Sequence, residues 1–194
     1  MSITHFTAAD AAVLLIDHQV GTMSWVRSTD LEGLTTRALT LARAAAALKM
    51  PLVLTSSEEE NVQGPLLAEL AEIAPAAFAA RVRRRGVVNA MDDPAFAAAV
   101  RATDRRNLII AGVTNDVCTV FPTLTALEQG YQVQVVADAG GSLTADADAI
   151  AVRRMERAGA DIVGTSQVLA QLAGNWTSPA GQLVMPLTAS LIPT

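Results

Sequence analysis

The chain has one cysteine, one lysine and two histidines in 194 residues, and each scarcity removes some chemistry. A lone Cys118 cannot build an internal disulfide and fits a reducing compartment. No apolar run approaches the roughly 20 residues that span a bilayer. The stretch Ala11–Ile16 ends at Asp17 and reads as a strand, so no membrane partner is expected. The start, Met1–Asp10, lacks a basic n-region, so no signal peptide and a cytoplasmic setting are expected. No G-x-G-x-x-G follows the first strand, which argues against a dinucleotide-binding protein. With 14 basic and 19 acidic residues the net charge is −5, against a general nucleic-acid binder. One local exception is Arg81-Val82-Arg83-Arg84-Arg85. It reads either as a phosphate patch or, with more support, as a solvated loop with one residue turned inward.

What is present is an alternation of short β-rich runs and helical segments. Ala12–Asp17 is a continuous apolar run, as a strand buried on both faces requires. Thr29-Asp30-Leu31-Glu32 has capping-box spacing, and Leu31, Leu34, Ala38, Leu41, Ala45 and Leu48 follow at helical intervals up to Pro51. Strands are expected at Leu52–Thr55, weakly at Phe78–Val82, and at Asn107–Val113, Tyr131–Asp138 and Asp161–Gly164. Helices are expected over Leu66–Ile73, from Pro94 to about Thr103, from near Cys118 to Gln129, and over Ala145–Ala158 and Ser166–Ala173. This βαβα pattern predicts one α/β domain over residues 1–174, a Rossmann-like three-layer sandwich with a six-stranded parallel sheet. The remainder, Asn175–Thr194, carries Pro179, Pro186 and Pro193 and reads as an irregular tail. Its apolar side chains need covering by its own domain or by a neighbouring subunit.

In open α/β sheets, sites form at the carboxyl ends of strands. Asp17, Asp138 and Cys118 all fall there. A thiol at a helix start has a lowered pKa, and the free N–H groups there can hold an oxyanion. On position alone, a lone cysteine is more often a buried structural residue than a nucleophile.

Three motifs shift that balance: Leu15-Ile16-Asp17-His18-Gln19, Ala111-Gly112-Val113-Thr114-Asn115-Asp116-Val117-Cys118, and Gly130-Tyr131-Gln132-Val133 followed by Val136-Ala137-Asp138-Ala139. Their order and spacing resemble the isochorismatase-like cysteine hydrolases across roughly residues 10–170, and Phe121-Pro122-Thr123 and Asn89-Ala90 resemble the YcaC-type branch. The resemblance implies an Asp–Lys–Cys triad. Asp17 and Cys118 match two members. The only lysine, Lys49, lies before the second strand; aligned on Asn89 and Phe96, the resemblance puts Arg84 in the lysine position, with Arg83 and Arg85 one residue away. An arginine supplies charge but cannot donate a proton at neutral pH. The resemblance also implies a cis peptide before Thr114, with the Thr114 and Cys118 N–H groups as oxyanion hole.

Nicotinamidases of the family bind zinc through an Asp and histidines after the second strand. Here that stretch is Thr55-Ser56-Ser57-Glu58-Glu59-Glu60, and the histidines are His5 and His18, so neither metal nor cofactor is expected. Substrate-binding candidates are His18, Gln19, Trp25, Glu58, Asn115 and Phe121, with core packing as the alternative for several. The expected activity is hydrolysis of a small amide-type C–N bond through a thioester, that is, an amidohydrolase. The competing readings are an antibiotic-type amide or lactam hydrolase, a vinyl-ether hydrolase of isochorismatase type, and a weakly catalytic oligomeric binding protein. The resemblance also implies a homo-oligomer.

Overall fold

The structure, a computed structural model, describes residues 5–192. The chain runs β1 (Ala11–Ile16), α1 (Val20–Ser24), α2 (Leu31–Ala47), β2 (Leu52–Ser57), α3 (Glu69–Ile73), α4 (Pro75–Ala79), β3 (Val82–Arg84), α5 (Pro94–Ala102), β4 (Asn107–Gly112), α6 (Val120–Glu128), β5 (Gln132–Val136), α7 (Ala145–Ala158), β6 (Asp161–Val163), α8 (Thr165–Ala173) and α9 (Pro179–Thr188). The six strands form one parallel sheet in the order β3-β2-β1-β4-β5-β6. It is the expected three-layer α/β sandwich.

The layers follow from the alternation of side chains along a strand. In β1, Ala11, Val13 and Leu15 face Leu34 and Leu41 of α2 and Val168 and Leu172 of α8. Ala12, Leu14 and Ile16 face the other way, onto Phe96 and Val100 of α5, Val120 and Ala126 of α6, and Met155 of α7. All six β1 residues are buried, which is why the run is apolar without a polar face. The helices start where their caps say. Asp30 accepts from the Gly33 N–H at 2.6 Å, and Asp93 accepts from Ala95 and Phe96 ahead of Pro94.

Strand order positions the site. From β1 the chain builds outward through β2 and β3, then returns to the other side of β1 with β4. The order therefore reverses between β1 and β4, and a crevice opens at their carboxyl ends. Asp17 follows β1 and Thr114 to Cys118 follow β4, so both stand at that crevice.

Three sequence expectations need correction. Phe78 lies in helix α4, which Pro75 starts, and its ring stacks under the Arg81 guanidinium at 4.3 Å. The third strand is accordingly Val82–Arg84, beginning where the expected strand ended. The α6 segment does not begin at Cys118. A π-helical turn, Asn115–Thr119, carries the cysteine and passes into α6 at Val120. Finally, the tail is not irregular. Ser178 caps α9 by accepting from the Gly181 N–H at 3.0 Å, Pro179 occupies the first turn, and Pro186 forgoes one helical bond. Helix α9 folds back on its own domain, burying Val184 against Ala44 of α2 and Leu169 of α8. Pro193 lies outside the described residues.

Candidate active site

Asp17 leaves β1 with φ 58°, in the left-handed region that Asp tolerates better than most residues. Such a conformation costs of order 1–3 kcal/mol and persists where surrounding contacts hold it. Here the Asp17 N–H donates to Thr55 O at 2.9 Å and its carbonyl accepts from the Gln19 N–H at 2.7 Å. The carboxylate is 2% exposed and meets Arg84, whose terminal nitrogen donates to both oxygens.

Arg84 is the largest fully buried side chain, at the end of β3. A buried cation needs a partner for every donor it can satisfy. Its Nε donates to Thr55 Oγ1 at 3.0 Å, one amine to Val87 O at 2.5 Å, and the other to Asp17. The rest of the arginine run is accounted for nearby. Glu59 accepts from Arg81 Nε at 2.8 Å and pairs with Arg83 Nε at 3.1 Å, while Arg85 is exposed. The run is therefore not the expected loop: Val82–Arg84 is strand β3, and of its arginines Arg84 is the one turned inward.

Cys118, half-buried, lines the same pocket as Asp17 and lies close enough for that carboxylate to act on its sulfur. Two glycines allow that approach. A Cβ at Gly112 would stand 2.7 Å from Thr119 Oγ1, and one at Gly140 would stand 2.3 Å from Asn115 Oδ1, so any side chain would push the π-turn off the sheet. The peptide between Val113 and Thr114 is cis.

The electrostatics correct one expectation. Burial pushes the Cys118 thiol well above its ordinary value; the negative charge of Asp17 and its hydrogen bond push the same way, against the Thr114 N–H and Arg84. The helix-start effect does not prevail, and the resting sulfur is a thiol. Burial also raises the Asp17 carboxyl, opposed by Arg84 and by the hydrogen bond from Cys118. A carboxylate raised in this way, touching a neutral thiol, is arranged to take its proton.

A pocket of about 340 Å³ opens over these groups. Asp17, Arg84, Thr114 and Cys118 line it together, as do Trp25 and Glu58. Gln19 also reaches it, but its side chain is committed to backbone: Nε2 donates to Ser57 O at 2.8 Å and Gly64 O at 2.5 Å, and Oε1 accepts from the Ser57 N–H at 2.8 Å. It braces the loop and leaves little for a substrate. The structure does not bring the other three candidates to the pocket. His18 is wholly buried, with Nε2 donating to Ala139 O at 2.9 Å, and burial lowers its pKa to about 4. Asn115 is wholly buried and donates to Ala137 O and Asp148 Oδ1. Phe121, on α6, is half-buried against the core and lies under Arg154.

Sequence reasoning missed the apolar wall of Val87, Val88, Val117 and Leu143. Only Val117, one residue before the cysteine, carried a positional signal. Among the described residues no group of three or more His, Cys, Asp and Glu side chains is placed to hold a metal ion. No helix among them is long and apolar enough to cross a membrane.

The isochorismatase domain family matches residues 11–167. The chain belongs to the isochorismatase family of hydrolases. It is 39% identical over 167 residues to the probable hydrolase YcaC of Escherichia coli K12, covering 86% of this chain and 79% of that protein. The YcaC structure from Pseudomonas aeruginosa, with hexane-2,5-diol and covalent acrylamide, superposes with a TM-score of 0.94 at 37% identity, over 100% of this chain and 94% of that one. The E. coli YcaC structure, described as an octameric hydrolase of unknown specificity, gives a TM-score of 0.93 at 37% identity over 100% and 93%.

Proposed function

We propose that the protein is a cysteine-dependent hydrolase of a C–N, amide-type bond in a small molecule, with Asp17, Arg84 and Cys118 as catalytic residues. The observation that carries this reading is one buried carboxylate, Asp17, held by Arg84 and touching the Cys118 thiol in the floor of a single pocket. Asp17 takes the thiol proton as the sulfur attacks the carbonyl carbon. The developing oxyanion is received by the backbone N–H groups of Thr114 and Cys118. As the tetrahedral adduct collapses, the C–N bond breaks and the amine leaves with the proton held by Asp17. Water then gives a proton to the same carboxylate and attacks the thioester, releasing the acid, and the sulfur recovers its proton. Arg84 holds Asp17 in place and offsets its charge throughout; it moves no proton.

The covalent acrylamide on the P. aeruginosa relative supports a nucleophile of this kind, since an acrylamide adduct forms on one. The octamer described for the E. coli relative supports a homo-oligomer here. A free thiol at work in catalysis fits a cytoplasmic setting.

The test is a panel of small amides, ureides and nitriles, scored for ammonia release by wild type and Cys118→Ala. Release that vanishes in the variant is expected. Undiminished release in Cys118→Ala would remove Cys118 as the nucleophile of C–N cleavage, and no release from any panel member would favour the vinyl-ether or binding-protein readings.

A further inference from the structure

The charges that line the pocket are few, and they do not balance. Among the described residues, Asp17, Arg84 and Glu58 are its only Asp, Glu, Lys or Arg side chains. The first two form a buried pair whose charges cancel. Arg84 has further committed four of its five N–H donors to Thr55, Val87 and Asp17, so it offers no two-pronged fork to an incoming carboxylate. Arg81 and Arg83 are drawn off by Glu59 and neither lines the pocket. Glu58 remains. Its backbone N–H donates to Arg84 O at 3.0 Å, which fixes it beside the site. Oε2 accepts from Asn61 at 2.7 Å, whereas Oε1 has no hydrogen-bond partner among the described residues. Oε1 stands 3.6 Å from where a Gly86 Cβ would be, so the missing side chain leaves that oxygen unscreened. The remaining wall is largely apolar, through Trp25, Val87, Val88, Val117 and Leu143.

Building on the hydrolase reading, we infer that this pocket selects substrates with an apolar body and a neutral or cationic end, and turns away carboxylates, with Glu58 setting the preference. An anionic group entering it meets an uncompensated negative charge in a partly shielded space, with no cation to receive it. An amine or ammonium meets Glu58 Oε1 instead.

Alkylation of Cys118 reads this preference without a known substrate. Iodoacetamide, iodoacetate and 2-bromoethylammonium are neutral, anionic and cationic probes of similar size. In each case the sulfur forms an S–C bond as the carbon–halogen bond breaks, halide leaves, and the thiol proton passes to Asp17. Rates from intact mass are divided by those of 2-mercaptoethanol, with Cys118→Ala as the site control. The normalised iodoacetate rate is expected to fall below that of iodoacetamide by about tenfold, the scale of one like charge at close range. The cationic probe should react at least as fast as iodoacetamide. Glu58→Gln should close most of the gap. Salt at about 1 M, which shortens the screening length to about 3 Å, should narrow it in the wild type, a check that needs no variant. Equal normalised rates in wild type, or an unchanged gap in Glu58→Gln, would overturn the role of Glu58 while leaving the nucleophile standing. No labelling of Cys118 by any probe would bring down the nucleophile and this inference together.

Discussion

Asp17 and Asp138 both stand just beyond the end of a parallel strand, and the chain treats them in opposite ways. Asp17 is 2% exposed, grips a buried arginine and touches a thiol. Asp138 keeps a side chain 40% exposed, faces Arg37 at 3.7 Å, and accepts from the Thr165 N–H and hydroxyl at 2.8 Å each. It supports the start of α8. The difference is the neighbouring strand. β1 lies where strand order reverses, so β3 can deliver a cation and β4 a nucleophile to the residue that ends it. β5 lies between β4 and β6, and its end meets a helix terminus. A strand-end carboxylate becomes chemically competent by what two other strands bring to it.

The sharpest way to break this comparison is to neutralise each carboxylate. Asp17→Asn should lower ammonia release by about 10²–10⁴-fold, the scale of a lost general base. Asp138→Asn should leave release nearly unchanged while costing about 1 kcal/mol in urea unfolding, the scale of a lost helix cap. Comparable losses of turnover in both variants would erase the distinction.

The two arginine partners offer the next contrast. Arg84→Ala removes the cation that holds buried Asp17 and should cost about 3–5 kcal/mol of stability. Arg37→Ala breaks a pair whose side chains are 32% and 40% exposed to water, and should cost no more than about 0.5–1 kcal/mol. Arg83→Ala should resemble Arg37→Ala, because its side chain is 59% exposed. Urea melts of the three variants, read beside ammonia release, settle which arginine of the run belongs to the site. Equal small losses at Arg84 and Arg83 would mean that the cationic member is misassigned.

Much of the sheet was legible because its signals are local. Six buried apolar residues in β1, capping carboxylates at Asp30 and Asp93, and Gly159 with φ 107° each state their element within a few residues. Asp17 and Cys118 were legible through strand ends and through motif resemblance. What failed depended on distant partners. Asn115 and His18 sit in the right motifs, yet their polar atoms turn to Ala137, Asp148 and Ala139, contacts between segments far apart in sequence. The thiol pKa went the wrong way for the same reason. The helix-start argument used only the local turn, while the shift is decided by burial and by Asp17, about a hundred positions upstream. The apolar wall from Val87, Val88 and Leu143 left no pattern at all.

His18, next to Asp17 in sequence but on the far side of the strand end from its chemistry, gives a pH test. Burial lowers its pKa to about 4 from an ordinary 6.5, and Nδ1 has no partner among the described residues. The folded state therefore resists protonating it, while the unfolded chain does not. Its contribution to stability is present above pH 6.5 and is lost as pH falls towards about 4, amounting to about 3 kcal/mol at the bottom of that window. Urea melts between pH 7 and pH 5, where most carboxylates remain ionised, should show stability declining in wild type and a flatter profile in His18→Gln. Ammonia release by folded His18→Gln should stay close to wild type, unlike that of Asp17→Asn. A profile with the same slope in both proteins would remove His18 from the account.

The C-terminal helix gives the smallest expected effect and the clearest separation between packing and assembly. Val184 is fully buried between Ala44 and Leu169, whereas its neighbours Leu183 and Met185 are 51% and 57% exposed. Val184→Ala should cost about 2 kcal/mol, by lost transfer energy and a partly collapsed cavity. Leu183→Ala and Met185→Ala, if those side chains meet only water, should each stay within about 0.5 kcal/mol. In a homo-oligomer that uses this face, the same two substitutions would act through association, making apparent stability depend on protein concentration. Light scattering separates the two effects. The full-length chain should be an oligomer, Val184→Ala should keep that assembly while melting earlier, and Leu183→Glu with Met185→Glu should shift it to smaller species. Because α9 is seated on α2 and α8 of its own chain, a version ending at Gly174 should lose stability first, by baring Ala44 and Leu169. A monomeric full-length protein would end the assembly proposal, and an oligomer indifferent to both glutamates would move its interface away from this helix.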